Sequence, residues 1–426
     1  MMSEKKIKYI WTSFDLFVIS FIALIIFQML PLPVSLVKLF SPHTVELVRH
    51  LISDTSANPR FLKISIVPWE TQGELIKVLT YAMIYLLIIN NFNSLHKMKK
   101  ILVSISIIGG IEAVYGLIQY ISGDEMLFRF TRLDHAKGRL IGTFPSADHF
   151  SAYLQMCIFC TLGYLMYIGD FGGFASGRKQ KLSFIDKVRR FFLEDDKWEG
   201  KVALFISIIS MCTAIVFTKS RAGMLSLIIS IICFTFITRI KFSSKWSVAI
   251  VGIILVITVL IGAWIGMTPV FDRYFQINPN EEFEEGRPSI WVSTFNIFRD
   301  FPIFGSGLGT FVHMYPSYTT RNNQGWVNHA HNDWLEILSD TGIAGFGIVI
   351  AGFFYLTFKG FFKIFITKEK QLIWVFIGNY MAIFSIAIHC ITDFNLKTTA
   401  DSFLLVVIIA IFILLSRSSV FLMDRK

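Results

Sequence analysis

The chain has 426 residues, of which 54% are hydrophobic, 15% aromatic and only 16% charged, with a formal net charge of +10. A soluble domain carries roughly a quarter charged residues, so this composition excludes a soluble globular protein. Apolar runs near or above the ~18 residues needed to cross a bilayer recur along the whole length. They predict an all-α polytopic membrane protein of about ten transmembrane helices.

The opening "MMSEKKIKYIW" is basic and leads into a long apolar run with no A-x-A-like cleavage site. It reads as the cytoplasmic flank of an uncleaved first helix near 14–36. Further membrane helices are expected near 75–92, 101–121, 148–168, 202–218, 223–238, 246–266, 335–357, 372–391 and 401–416. Lys and Arg crowd the loops that this order puts on the side of the N-terminus, eight of them within 170–201. That pattern follows the positive-inside rule with both termini cytoplasmic. The surplus charge therefore sets topology and implies no nucleic-acid partner. The cytoplasmic loop 170–201 is long and amphipathic, and reads as a surface-lying connector with its basic residues toward lipid headgroups. With no internal repeat and no low-complexity tract, residues 1–426 read as a single integral membrane domain.

The opposite side receives 41–74, 123–147, the short turn 219–222 and the long loop 267–334 between the seventh and eighth membrane helices. Within that loop "GRPSIWVSTFNIFRDFP" predicts an amphipathic helix lying along the membrane interface. Pro288 suits a first helical turn, Trp291, Phe295 and Phe298 recur at helical spacing, and Pro302 ends the run. The following "GSGLGT", with Gly305, Gly307 and Gly309, has no strand before it and reads as a tight turn rather than a phosphate loop. The acidic run Glu281, Glu282, Glu284 and Glu285 reads as solvated loop surface. All five cysteines (Cys157, Cys160, Cys212, Cys233 and Cys390) fall in apolar segments, without metal-ligand or disulfide spacing, and are expected to pack in the core.

Several ionisable residues break the apolar pattern. "FTKSRAGM" interrupts otherwise continuous apolar sequence, so Lys219 and Arg221 fall at or near membrane depth, where an unpaired cation is expensive. Arg287 opens the loop helix, and Arg139 in "KGRLIGTFPSADHF" precedes the fourth membrane helix. Each can anchor a helix end by snorkelling; together they offer guanidinium forks matched to phosphate oxygens. In "VNHAHNDWLEILSDTGIAG", His329 and His331 precede Asn332 and Asp333, either of which can cap the following helix. An imidazole at that position can serve as a capping or packing residue, or can accept a proton. The positive end of the helix dipole would help keep its ring neutral. His389 is flanked by apolar residues and is expected to be structural, whereas His313 receives no role.

At these residues the chain resembles the O-antigen ligase and O-antigen polymerase family. His331–Asn332, nine residues, Gly342, two more and Gly345 reproduce its His-Asn-x9-Gly-x-x-Gly signature at full spacing. "GRLIGTFPSADHFSAYL", "SRAG", "GRPSIWVSTFNIFRDFPIFGSGLGTF" and "HCITDFNL" add to the likeness, in the family's order, over roughly residues 110–400. The resemblance implies a GT-C-like glycosyltransferase in the bacterial inner membrane with its active site facing the periplasm. The implied donor is a glycan linked through diphosphate to undecaprenol. The acceptor is a sugar hydroxyl on lipid A core, for a ligase, or on another repeat unit, for a polymerase.

The residue types suit that chemistry, because diphosphate is a leaving group that needs no proton. His331 is then the expected general base, with Arg221 and Arg287 binding the diphosphate and Arg139 in support. Asn332, His329 and Lys219 take supporting positions. Attack is direct and inverting, with no metal and no cofactor expected. The external segment 41–74, which ligation does not require, tilts the reading toward polymerase. Two competing classes remain: a lipid-linked glycan transporter or flippase, which should show paired repeats or helices broken near the midplane, and a scaffold subunit, which needs no convergence of His and Arg.

Overall fold

A computed structural model of the chain describes residues 9–52, 59–92, 94–123, 126–127, 131–132, 138–169, 198–242, 246–275, 286–319, 327–367 and 369–417. The basic opening residues, most of the 170–201 connector and the acidic run 281–285 lie outside the described residues. In chain order the α-helices begin with α1 (Phe14–Met29), α2 (Val34–Phe40), α3 (Pro42–Leu51), α4 (Pro68–Asn91) and α5 (Leu95–Ile121). Next come α6 (Ala147–Ile168), α7 (Trp198–Thr218), α8 (Arg221–Phe242), α9 (Trp246–Ile265) and α10 (Thr268–Phe275). The last are α11 (Arg287–Asp300), α12 (Phe311–Tyr318), α13 (Asp333–Ile366), α14 (Lys370–His389) and α15 (Thr399–Ser416). Among the described residues the β-structure is two short antiparallel pairings, Leu32–Pro33 with Phe61–Leu62 and Met126–Leu127 with Thr131–Arg132.

Nine of these helices are long and apolar enough to cross a membrane, namely α4 to α9 and α13 to α15. The chain is an all-α, multi-pass membrane protein. The helix α1 is apolar but has only 16 residues, because Pro31 and Pro33 follow at once and the residue before a proline is driven out of the helical region. Leu30 is already extended. Each of the ten expected membrane helices thus has its counterpart, the first of them shorter than hydropathy alone suggested.

The helices gather into two compact units that interleave in sequence. One comprises Asn91–Gln276, Phe358–His389 and Thr398–Lys426. Its centre is α6, which buries Phe150, Leu154, Phe159 and Leu165 against neighbours on nearly every side. A mainly apolar helix buried on nearly every side belongs in the middle of a bundle. It meets α14 at Gly163 and Gly378, where an added Cβ on Gly163 would stand 2.8 Å from the Gly378 Cα. Small residues at a membrane-helix crossing let two backbones come this close. Four of the five cysteines are buried, and Cys233 is half-buried.

The other unit comprises Met1–Asn90, Ile277–Thr357 and Cys390–Lys397. It contains a broken helix. Inside α13 Gly342 adopts φ +62° and ψ −168°, a left-handed-side conformation that a side chain resists. The break strands backbone groups that must find partners away from water. Residues 302–307 supply them: Ile343 and Ala344 donate to the carbonyls of Pro302 and Ile303, while Ser306 and Gly307 donate to those of Ser339 and Asp340. Gln28 on α1 closes the stitch, donating to the carbonyls of Phe304 at 2.6 Å and Asp340 at 3.0 Å. The glycine-rich run is therefore a turn, with Gly305, Gly307 and Gly309 all at positive φ, and its purpose is to fill the break.

Candidate active site

The loop helix α11 forms where the sequence expected it, with Pro288 in its first turn. Its buried stripe is Ile290, Thr294 and Ile297, and Ile290, Ile297 and Phe301 pack with Phe311, Met314 and Tyr315. Val292 and Phe295 are exposed, the apolar outer face that an interface-lying helix needs. This packing fixes Trp291, whose indole Nε1 donates to the His331 carbonyl at 3.3 Å.

The start of α13 is capped by Asn332, whose side-chain oxygen accepts from the Leu335 amide at 3.0 Å. A second chain segment docks on the same end. The Asp333 amide donates to the carbonyls of Cys390 and Asp393, and the Asp333 carboxylate accepts from the Leu396 amide at 2.9 Å. These bonds tie residues 390–397 to the helix start and bring Asp393, 1% exposed, beneath His331.

His331 Nδ1 lies 3.1 Å from Asp393 Oδ1. A carboxylate can only accept, so Nδ1 carries a proton and Nε2 is the nitrogen turned away from Asp393. The same oxygen accepts from the Phe394 amide at 3.0 Å, which fixes its position. The other carboxylate oxygen faces Arg287 Nη2 at 3.5 Å. His331 stands in the left-handed region at φ +49°, an unfavourable conformation for a side-chain-bearing residue that tends to mark functional positions. A third of its side chain is exposed. So held, its imidazole can take a proton at Nε2 beside a guanidinium charge.

His329 forms a second pair close by. Its Nδ1 lies 3.0 Å from Glu336 Oε1, and Glu336 also accepts from the Ala330 amide at 2.7 Å. Lys397 Nζ approaches Glu336 at 3.1 Å and Asp340 at 3.8 Å. Burial alone would depress the Lys397 ammonium pKa, but Glu336, Asp340 and Glu74 outweigh that and push it up. Asp340 accepts from the Gly309 amide at 2.8 Å, so the charge network runs from His329 to the glycine turn at the helix break. The rings of His329 and His331 both rest on Phe394, with centroids 4.5 and 4.7 Å away.

The other predicted cations gather in the unit built around α6. Arg139 donates through Nε to the Thr218 carbonyl at 2.9 Å and through Nη2 to Asp148 at 3.0 Å. Together with the Leu140 amide bonded to the Phe217 carbonyl, it pins the turn that follows α7. In that turn Lys219 has φ +53°, and Ser220 caps α8 by accepting from the Gly223 amide at 3.0 Å. Arg221 is then the first residue of α8. Lys219 Nζ lies 5.8 Å from the Tyr120 ring and lines a cavity of about 590 Å³ with Gly138 and Trp264.

The structure thus brings His331, Asn332, Arg287 and His329 together, and separately brings Arg139, Lys219 and Arg221 together. His389 is fully buried, with Nδ1 3.4 Å from Gln155, as expected of a structural histidine. His313 pairs with Glu70 at 3.0 Å. Sequence reasoning gave no role to Asp393, Glu336 or Lys397. Asp393 stands in "HCITDFNL", and Glu336 lies between Asp333 and Asp340 at the start of a helix long and apolar enough to cross a membrane, which was the available signal.

No curated protein matches the chain. A family model described as O-Antigen ligase matches residues 206–350. The matched stretch runs from within α7 into α13 and holds Lys219, Arg221, Arg287, His329, His331 and Asn332. Both glycines of the signature, Gly342 at the helix break and Gly345 beside Leu24, fall inside it. Over residues 206–350 the chain is similar to the O-antigen ligase family.

Proposed function

We propose that the protein transfers a glycan from undecaprenyl diphosphate to a sugar hydroxyl at the periplasmic face of the bacterial inner membrane. The observation that carries this is the His331–Asp393 pair, with Arg287 on the same carboxylate. His331 Nε2 takes the proton of the acceptor hydroxyl as its oxygen attacks the anomeric carbon. The bond to the diphosphate oxygen breaks with inversion, and its electron pair stays on the leaving group. Asp393 holds the imidazole in the receptive tautomer and balances the charge it gains. Arg287, 35% exposed, binds the diphosphate one carboxylate away from the base and stabilises the charge that develops there. For Arg221, with Arg139 and Lys219 in support, the diphosphate-binding role rests on guanidinium chemistry and the motif match alone. Guanidinium groups supply the charge that a divalent metal supplies in many transferases, so the reaction is metal-independent.

One feature favours a transporter instead, because transporters use helices broken within the membrane and α13 is broken at Gly342. In transporters, however, the freed backbone groups line the substrate or ion site. Here residues 302–307 and Gln28 take them, which favours transfer.

The deciding experiment is reconstitution of the purified protein in liposomes with an undecaprenyl-diphosphate-linked repeat unit. Transfer should proceed without nucleotide, and His331→Ala should lower it about 10²–10⁴-fold. Movement of the lipid-linked glycan across the bilayer without new glycosidic bonds would overturn the proposal. In cells, deletion leaving single capped repeat units on the lipid core marks a polymerase, whereas loss of all polymer from that core marks a ligase.

A further inference from the structure

His329 has no place in the transfer chemistry above, yet it is built like the base. Its Nδ1 is committed to Glu336, a carboxylate 1% exposed that also faces the Ala330 amide and Lys397. A carboxylate ringed by donors accepts, so His329 donates to it from Nδ1 and turns Nε2 away from it. The ring is 29% exposed. With one edge turned to a buried group, its accessible edge is the opposite one. His329 is not needed to neutralise Glu336, because Lys397 already does so at 3.1 Å. Phe394 spaces this imidazole from that of His331, one ring tilted 33° over it and the other edge-on at 77°.

Two neighbouring imidazoles, each oriented by its own buried carboxylate, match a ligand with neighbouring hydroxyls. A sugar ring is such a ligand. The leaving diphosphate needs no proton, so a second acid is superfluous. We propose that His329 is an acceptor-binding residue: it accepts a hydrogen bond from a second hydroxyl of the sugar whose attacking hydroxyl His331 deprotonates. A few convergent polar groups of this kind fix orientation in a ligand site. The inference rests on the glycosyl-transfer reading of the same site, and it accounts for two histidines where the chemistry uses one.

The test is steady-state kinetics of the purified full chain in detergent, with the host's undecaprenyl-diphosphate-linked repeat unit as donor. The carrier-free repeat oligosaccharide, or lipid A core, is the varied acceptor. His329→Ala should raise the acceptor KM at least tenfold while kcat falls less than threefold and the donor KM stays within twofold. His329→Gln, which can still hydrogen-bond a hydroxyl, should lie between wild type and His329→Ala, and it carries the measurement if the alanine variant does not accumulate. The pH profile of kcat should keep its shape in both. An unchanged acceptor KM overturns the inference, as does a shift confined to the donor KM, which would assign His329 to the diphosphate. Absence of transfer by the wild type with either acceptor takes down the glycosyl-transfer reading itself, and this inference with it.

Discussion

His331 and Asp393 are 62 residues apart in sequence and 3.1 Å apart at Nδ1 and Oδ1. The segment carrying Asp393 is held to the helix start by the Asp333 amide and carboxylate, so the pair is set by backbone bonds rather than by the side chains alone. Asp393→Asn preserves shape but can present an N–H to the imidazole, which favours the tautomer with its proton on the wrong nitrogen. It should lower kcat by about 10²–10⁴-fold with little change in the amount of protein in the membrane. Glycan transfer per unit of immunodetected protein measures this, and a loss below tenfold would count against Asp393 as the orienting group.

Lys397 is the cation among Glu336, Asp340 and Glu74. Lys397→Met leaves buried carboxylates without it and should destabilise by about 3–5 kcal/mol, whereas Lys397→Arg keeps the charge and should lose far less. Because the pairing raises the amine's pKa, its contribution is complete below the ordinary lysine value of about 10.4. It disappears only as pH climbs through the raised value. The lysine's own share should therefore not change between pH 7 and 10: the difference in melting temperature between the wild type and Lys397→Arg, which share the same carboxylates, should stay constant over that window, and a difference that shrinks or grows across it would contradict the assignment.

Gly342→Ala meets two obstacles, a positive φ and an added Cβ 2.4 Å from the Ile303 carbonyl carbon. Strain of about 1–3 kcal/mol is expected from the backbone alone, and the stitch to residues 302–307 should be lost as well. Gly347→Ala, where nothing lies within 4 Å of the new Cβ, should be neutral or stabilise by about 0.5–1 kcal/mol. Melting temperatures of the two variants should diverge in sign. Equal behaviour would mean the break is not rigid.

Arg139 uses Nε and Nη2 on two different partners, a fork that lysine cannot copy. Arg139→Lys should loosen the turn carrying Lys219 and Arg221, so that the donor KM rises while the acceptor KM does not. Asp148→Asn should give a milder form of the same change. Donor titrations at saturating acceptor distinguish this from a general loss of folding, which would reduce active protein without moving either KM.

Under the proposed mechanism guanidinium charges do the work a metal would do, so transfer should persist within about twofold in excess EDTA. Restoration of activity by added Mg²⁺ after chelation would contradict metal independence.

The membrane helices were legible because hydropathy and length decide them. The cap at Asn332 and the Pro288 start of α11 were legible because both are local rules. The shortening of α1 was missed, since hydropathy ran on to residue 36, although Pro31 and Pro33 carried the signal. Asp393 was not legible as a partner of His331, because nothing in sequence pattern reports a contact made by two segments docking on one helix end. Gly342 was recognised only as a signature position. Its role as a break requires the loop that fills it, and that loop read merely as a turn. Phe295 and Phe298 marked the helical period of α11, yet the buried stripe runs through Ile290 and Ile297, since aromatic spacing shows periodicity and not which face meets protein.

Among the described residues the non-glycine positions at positive φ are Lys219 and His331. Glycine would relax either of them, so His331→Gly should melt higher than His331→Ala while being equally inert. Durability alone would thus favour glycine at position 331, and under the proposed mechanism the fold yields some of it to hold an imidazole at that angle.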